Sequence, residues 1–501
     1  MKLFSLMIGM CALLCTNRSA AATPPNIVVF LVDDMGLMDT SVPFLSDEKG
    51  QPRAHALNSW YRTPNMERLA RQGVRFSQFC AMSVCSPTRV SLLTGQNAAR
   101  HHVTNWINPD QNNRGPLGPM AWDWRGLDRS DTTLPKLLQQ QGYRTIHIGK
   151  GHFGPNDTEG SDPCQLGFDV NIGGNSYGSP GSYYGEKNYG KGTKQAVPHL
   201  EAYHGSHTFL TEALTLEANK QIDASIRDKK PFFLYFAHYA VHSPFQANPR
   251  FAAHYAEAKQ SPAAKAFATL IESMDESLGI LLDHLEKTGE AKNTLVFFLG
   301  DNGSDSPLGE AHNVGSSAPL RGKKGSHYEG GVRVPFIAAW AQTDAANPHQ
   351  QALTIPVGRL QTQLASVEDL FPTVLDLAGV KSPVAHIVDG RNLRPLLLGN
   401  PDDKRQSTFL MHYPHAPHRS DYWTSLRDAE WKVIYHYLPG PKGKRYQLFH
   451  LKEDPYEQND LAEKNPAMLK RMMQQLMQSL DHHKAQYPRN KQGVELRPQT
   501  P

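Results

Sequence analysis

The chain has 501 residues, 20% of them charged, and a formal charge of +4 that falls to about +2 when Lys2 and Arg18 leave with the leader described below. That balance lacks the basic footprint that nucleic-acid binding requires, and no segment reaches the roughly 20 apolar residues of a membrane span. The length exceeds that of a single ordinary core and suits one large α/β domain with a smaller one appended.

At the start, Lys2 precedes a mostly apolar run from Leu3 to Leu14 and the small-residue cluster Ser19-Ala20-Ala21-Ala22. This is the pattern of a secretory signal peptide over residues 1–22, so the chain is expected to be exported, to the periplasm or beyond. Leu14 stands where a lipidated Cys15 would want a small residue, which weighs against a lipoprotein. Cleavage leaves Cys80, Cys85 and Cys164 in an oxidising compartment. The number is odd, so one cysteine needs an explanation other than pairing. Cys80 with Cys164 is one bridge the sequence leaves open.

The first strand is Asn26-Ile-Val-Val-Phe-Leu-Val32, apolar on both faces and ending at Asp33-Asp34-Met35-Gly36. Leu134 to Gly142 reads as an amphipathic helix leading into the strand Thr145 to Ile148, and Pro231 to Phe236 is another apolar strand. A long helix carries Leu270, Met274, Leu278, Leu281, Leu282 and Leu285 at three- and four-residue spacing. It precedes the strand Thr294 to Leu299, which ends in Gly300-Asp301-Asn302-Gly303. Strands alternating with helices predict a largely parallel sheet covered on both faces, with ligands at its carboxyl edge.

Ser366 and Asp369 have capping-box spacing and open a helix from Val367 to Leu377, stopped by Gly379. Residues 23–385 thus read as the main domain. Residues 386–501 read as a C-terminal subdomain of short strands, such as Trp431 to Tyr435, and a final helix from Pro466 to His482. Asn105 to Asp131 and Asn156 to Tyr203 are long segments without periodicity, of the kind that form binding or lid elements.

Asp33, Asp34, Asp301 and Asn302 follow two buried strands of one sheet, and oxygen ligands of this type suit a hard cation, Ca²⁺ or Mg²⁺, rather than zinc. Alone, each pair is more often a turn or a helix cap than a metal ligand set. What changes the balance is the run CSPTRVSLLTG from Cys85 to Gly95, which resembles the signature of the type I, formylglycine-dependent sulfatases. The resemblance extends along the chain. It takes in NIVVFLVDDMG, TPNMERLARQGVRF, GKGHFG, GDNG, LRGKKGSHYEGGVRVP and LFHLKEDPYEQNDLA. It departs where Gly151 and Phe153 replace the family's usual Trp and Leu, which bears on local packing.

The resemblance implies an alkaline-phosphatase-like sandwich with a large, mostly parallel central sheet flanked by helices and a small C-terminal α+β subdomain with an antiparallel sheet. It implies that Cys85 is oxidised to formylglycine by a maturation enzyme that reads Pro87 and Arg89. Asp33, Asp34, Asp301, Asn302 and residue 85 would hold Ca²⁺, and Arg89, Lys150, His152, His242 and Lys324 would surround the sulfate and the nucleophile. Lys324 is preferred to Lys323 because it lies four residues before Tyr328. A hydrated aldehyde offers two hydroxyls on one carbon, one to attack sulfur and one to expel sulfate. Asp301 would help deprotonate the first, His152 the second, and His242 would protonate the leaving alcohol.

Two rivals share these features: a phosphonate or phosphate monoester hydrolase of the same fold, and a silent carbohydrate-binding homologue whose Cys85 is never converted. The expected substrate is a sulfated carbohydrate. Trp106, Trp122, Trp124, Tyr177, Tyr183 and Tyr184 would stack on sugar rings or anchor their loops, and Asn112, Asn113, Arg114, His204 and His207 would read hydroxyls or carboxylates.

Overall fold

A computed structural model describes residues 24–405, 408–416, 419–420, 422–440 and 443–501. The leader expected at residues 1–22 lies outside the described residues. In chain order the strands are β1 (Asn26–Val32), β2 (Val74–Phe76), β3 (Phe79–Cys80), β4 (Arg144–Gly149), β5 (Val170–Ile172), β6 (Phe232–His238) and β7 (Thr294–Gly300). They continue as β8 (Phe336–Trp340), β9 (Arg359–Gln361), β10 (Ala365–Ser366), β11 (Phe409–Tyr413), β12 (Trp423–Arg427), β13 (Trp431–His436) and β14 (Tyr446–His450).

Eight of these form one sheet in the order β5-β4-β6-β1-β7-β8-β2-β9. Within it β8 alone runs against its neighbours β7 and β2, and the other pairings are parallel. The period-2 alternation of a strand explains why β1 is apolar throughout. Ile27, Val29 and Leu31 enter one hydrophobic cluster, and Val28, Phe30 and Val32 enter the cluster on the opposite face. Phe30 stacks on Phe298 at 5.4 Å between ring centroids, which ties β1 to β7.

Helices cover both faces, as the alternating pattern predicts. Pro262–Thr288, capped by the Ser261 hydroxyl and ended by left-handed Gly289, buries Leu270, Met274, Leu278 and Leu282 on one side of the sheet beside Leu210–Arg227. On the other side lie Cys85–Thr94, Leu134–Gln140 and Leu370–Ala378. The Ser366/Asp369 capping box is formed, although the first turn after it, Val367–Asp369, is a 3₁₀ turn before the α-helix begins.

β3 and β10 pair as a short two-stranded sheet, and the antiparallel meander β11-β12-β13-β14 forms the C-terminal second large sheet, covered by the helix Pro466–His482 through Leu469, Met472, Met473, Leu476 and Leu480. A buried charge network joins this sheet to the main domain. Glu329 meets Arg427 at 2.5 Å and Lys432 at 3.1 Å, and Lys432 meets Glu457 at 2.8 Å. Glu457 also accepts the Glu329 backbone N–H at 2.6 Å. No helix among the described residues is long and apolar enough to cross a membrane.

Cys80 and Cys164 are both free, so the bridge left open by the sequence does not form. Cys80 is buried at the end of β3 with its sulfur 3.9 Å from Arg427, whereas Cys164 is exposed on the turn Pro163–Leu166.

Because two buried carboxylates share Lys432, its replacement by Met leaves uncompensated charge in the interface. Lys432→Met is expected to cost about 3–5 kcal/mol, read as a lower denaturation midpoint. An unchanged midpoint would show that the network contributes little.

Candidate functional site

The site begins where two central strands stop. The chain leaves β1 at Asp33, whose backbone N–H donates to the Ala240 carbonyl at 2.9 Å and whose own carbonyl accepts from Val241 at 2.7 Å. Asp34 turns into the left-handed region at φ 60°. Across the sheet edge, Asp301 follows β7, donates its backbone N–H to the Val32 carbonyl at 3.0 Å and accepts the Asp34 N–H on Oδ1 at 3.0 Å. Three carboxylates thereby converge with no exposure to water.

Three cations answer them. Lys150, one residue past β4, places Nζ 2.6 Å from Asp33 Oδ2. Lys324 places Nζ 2.6 Å from Asp34 Oδ1, while Lys323 turns away to Asp305 at 3.3 Å. Arg89, on the helix Cys85–Thr94, donates through Nη2 and Nε to Asp301 Oδ2 at 2.8 and 3.2 Å and through Nη1 to the Lys150 carbonyl at 2.9 Å. The arginine is fully buried, so its burden is internal charge balance and not surface solvation. Thr88 accepts the Met82 backbone N–H at 2.9 Å and seats the start of this helix.

These pairings govern ionisation. Burial would raise the Asp34 carboxyl, but Lys324, with His242 and Lys150, overrides it and holds the group well below the usual carboxylate range. Burial, reinforced by Asp33 and opposed by Arg89, pushes Asp301 up to about 6. Asp34 likewise overcomes burial to hold Lys324 well above its ordinary value. Burial pushes the Cys85 thiol up to about 12 against the pull of Lys150 and Lys324, so this sulfur is a neutral thiol at pH 7.

Two oxygens of the cluster remain without a hydrogen-bond partner: Asp33 Oδ1 and Asn302 Oδ1, both buried. Asn302 Nδ2 donates to Asp34 Oδ1 at 2.9 Å and to the Gly303 carbonyl at 3.1 Å, which fixes the side chain with its own oxygen free. Ligand atoms of Asp33, Asp34 and Cys85 lie within 4.8 Å of one another. Buried oxygens without donors are costly unless a cation takes them, and the donor set fits a hard divalent ion.

Cys85, the first residue of its helix, lines a cleft of about 370 Å³ together with His152, His242 and Lys324. His152 directs Nε2 to the Ile107 carbonyl at 2.7 Å and leaves Nδ1 buried without a partner. His242 directs Nδ1 to the Ser243 carbonyl at 2.8 Å and sets Nε2 3.6 Å from Asp34. Tyr183, stacked on Phe209, donates to the carbonyls of Tyr239 and His242, both at 2.8 Å, and so holds the segment that carries His242.

The departure at Gly151 coincides with a close backbone approach. A Cβ on Gly151 would stand 2.9 Å from the Asn175 carbonyl, and one on Gly178 would stand 2.7 Å from His152 Cε1. A large side chain at 151 would push this loop outward. With two glycines it lies down on His152 and brings Tyr177, Ser179 and Gln195 to the cleft.

The expected sugar readers divide. Trp106 and Tyr177 line the cleft. Trp122 is buried against His415, Trp124 donates to the Asn108 carbonyl at 2.9 Å, and Tyr183 and Tyr184 bond backbone carbonyls, so these four anchor loops. None of Asn112, Asn113, Arg114, His204 or His207 lines the cleft. Asn112 accepts from Trp122 at 2.9 Å, Asn113 donates to the Trp106 carbonyl at 2.8 Å, and His207 meets Glu186 at the surface. Asn108, Asp110 and Gln195 take the polar positions instead. They sit in the two aperiodic segments, and nothing in the sequence separates them from their neighbours there.

The Sulfatase family model matches residues 25–380, and the model for the C-terminal region of N-sulphoglucosamine sulphohydrolase matches residues 323–486. N-acetylgalactosamine-6-sulfatase of Mus musculus is 32% identical over 395 residues, covering 76% of this chain and 67% of that protein. Steryl-sulfatase of Rattus norvegicus is 28% identical, covering 86% and 80% respectively. Among solved structures, Ps i-CgsB superposes with a TM-score of 0.72 at 25% identity, covering 91% of this chain and 93% of that one. It has also been solved in complex with k-i-k-neocarrahexaose, at a TM-score of 0.70.

Proposed function

The chain belongs to the sulfatase family and hydrolyses sulfate esters, and from that premise we propose that it is an exported sulfatase of sulfated carbohydrates that works through formylglycine made from Cys85 and through bound Ca²⁺. The observation that carries the reading is the pair of donorless buried oxygens, on Asp33 and Asn302, beside residue 85 at the floor of the cleft. Two of the similar proteins support the sugar: one relative is an N-acetylgalactosamine-6-sulfatase, and one structural neighbour has been solved with k-i-k-neocarrahexaose. The leader pattern supports export, and the CSPTR run supports recognition by a maturation enzyme.

Asp33, Asp34, Asp301, Asn302 and residue 85 would hold the Ca²⁺, which would neutralise the charge on the sulfate oxygens. An aldehyde at residue 85 would supply, as its hydrate, the nucleophilic hydroxyl and the second hydroxyl that later frees sulfate. The rest falls to the chain's own side chains. Lys324 at the cleft floor, with Lys150 and Arg89 buried beneath it, provides fixed positive charge already oriented by its carboxylates, so little reorganisation is needed as charge shifts toward the leaving oxygen.

His152 donates from Nε2 to Ile107, which fixes its tautomer and leaves the Nδ1 lone pair to take a proton from a hydroxyl at residue 85. His242 donates from Nδ1 to Ser243, which leaves Nε2 to carry a proton to the departing alcohol. Both oxygens of Asp301 already accept hydrogen bonds, so its remaining lone pairs serve either the cation or the first hydroxyl.

Mass spectrometry of the tryptic peptide that contains residue 85 tests conversion, with a loss of about 18 Da relative to cysteine expected. An active enzyme that keeps an intact thiol would refute the mechanism. In the same preparation, aryl sulfate is expected to exceed aryl phosphate and phosphonate in kcat/KM, and the reverse order would assign the phosphoryl rival.

Adding Ca²⁺ to chelator-treated protein is expected to raise the Tm, with about 2.7 kcal/mol of stabilisation at a concentration of 100 Kd. Asp33→Asn should remove that response. His242→Ala is expected to slow release from an alkyl sugar sulfate by about 10²–10⁴ and from 4-nitrophenyl sulfate far less, because a good leaving group needs no proton. Equal losses on both would argue against His242 as the acid.

A further inference from the structure

The cleft's cations are all spent at its floor. Lys150 pairs with Asp33 at 2.6 Å, Lys324 with Asp34 at 2.6 Å and Arg89 with Asp301 at 2.8 Å. Among the described residues that line the cleft, Lys324 is the lone lysine or arginine. Trp106, Asn108, Tyr177 and Gln195 on its walls are uncharged, and the remaining charge there is a carboxylate, Asp110.

Asp110 is held in place. Its Oδ1 accepts from Asn156 Nδ2 at 3.0 Å and from the Tyr177 hydroxyl at 3.1 Å, and its Oδ2 accepts from Lys194 Nζ at 3.1 Å. Three points of the second long segment are thus fastened to one carboxylate of the first. An ionised carboxylate has about four acceptor sites, so these three donors leave capacity for a hydroxyl in the cleft. Both side chains of the pair reach water, Lys194 at 72% exposure and Asp110 at 42%, so solvent screens both charges and the lysine's more.

Resting on the reading of the chain as a carbohydrate sulfatase, we propose that Asp110 determines the substrate class: a sugar ring bearing one sulfate and otherwise neutral, whose hydroxyl Asp110 accepts and whose further anionic substituents it repels. A second sulfate or a uronate carboxylate would find no lysine or arginine among the described wall residues and would face Asp110. The aromatic and amide walls suit the apolar face and hydroxyls of such a ring, and a volume of about 370 Å³ lies within the ordinary range of small-molecule sites.

The test compares N-acetylgalactosamine 6-sulfate with N-acetylgalactosamine 4,6-disulfate, each scored by released sulfate as kcat/KM. The ratio of the two values for one enzyme preparation is independent of how much of it is folded or converted. Wild type is expected to favour the monosulfate. Asp110→Asn should shrink that preference by about three- to tenfold, the size of one unit charge acting at close range through partly screened solvent. Lys194→Met, which strips the counter-charge from Asp110, should enlarge it, and added salt should narrow it in wild type.

A wild-type preference for the disulfate, or a ratio unmoved by Asp110→Asn, overturns this inference and leaves the sulfatase reading standing. Failure to cleave either sugar, by a preparation that cleaves 4-nitrophenyl sulfate, overturns this inference for the hexosamine ring, and failure on a carrageenan oligosaccharide as well removes the carbohydrate reading.

Discussion

Three carboxylates without water, Asp33, Asp34 and Asp301, stand at the carboxyl edge of the sheet, and the architecture around them answers that one electrostatic demand. A buried carboxylate is tolerable only when paired and hydrogen-bonded. Arg89 comes from a helix on one face of the sheet, Lys150 from the end of a neighbouring strand, and Lys324 from the long connection between β7 and β8. Each reaches the edge because something distant must be neutralised there. Even so the pairing leaves two oxygens without hydrogen-bond donors, a remainder that fits the cluster to a hard cation.

The same demand explains why the C-terminal sheet is joined to the main domain by charge as well as by apolar contact. Glu329 lies five residues after Lys324, and Arg427 and Lys432 hold it from strands β12 and β13. The connection that presents Lys324 is therefore fastened at its far end by the second sheet. Buried ion pairs are weak contributors to stability but strict about geometry. Here strictness suits a lysine whose position matters more than its energy.

Above this rigid floor the cleft is built from loops, and its character is set by different means. Gly151 and Gly178 let the Gly173 to Gln195 segment settle on His152, while Asn113 and Trp124 bond the backbone of the Trp106 to Asn108 stretch. Aromatic residues in these segments do two jobs. Those that point inward, Trp122 and Tyr183, fix the loops, and those at the cleft, Trp106 and Tyr177, are placed by them. Charge is concentrated at the floor and scarce on the walls, a division that suits an anionic group below and an uncharged carrier above.

Strand β1 was legible in the sequence because continuous burial on two faces demands an uninterrupted apolar run, and the Asp-Asp that follows marks where burial ends. The long helices were legible from three- and four-residue spacing, and the grouping of residues 33, 34, 85, 89, 150, 301, 302 and 324 from the resemblance of their motifs to the sulfatase pattern, since singly each reads as an ordinary turn or surface residue. The free state of Cys80 and Cys164, the full burial of Arg89 and the division of the aromatics between scaffold and cleft were decided only by tertiary structure. Periodicity reports which face of an element is buried. It carries no information about aperiodic segments, where Asp110 becomes a cleft residue because Asn156, Tyr177 and Lys194 arrive from elsewhere in the chain to hold it.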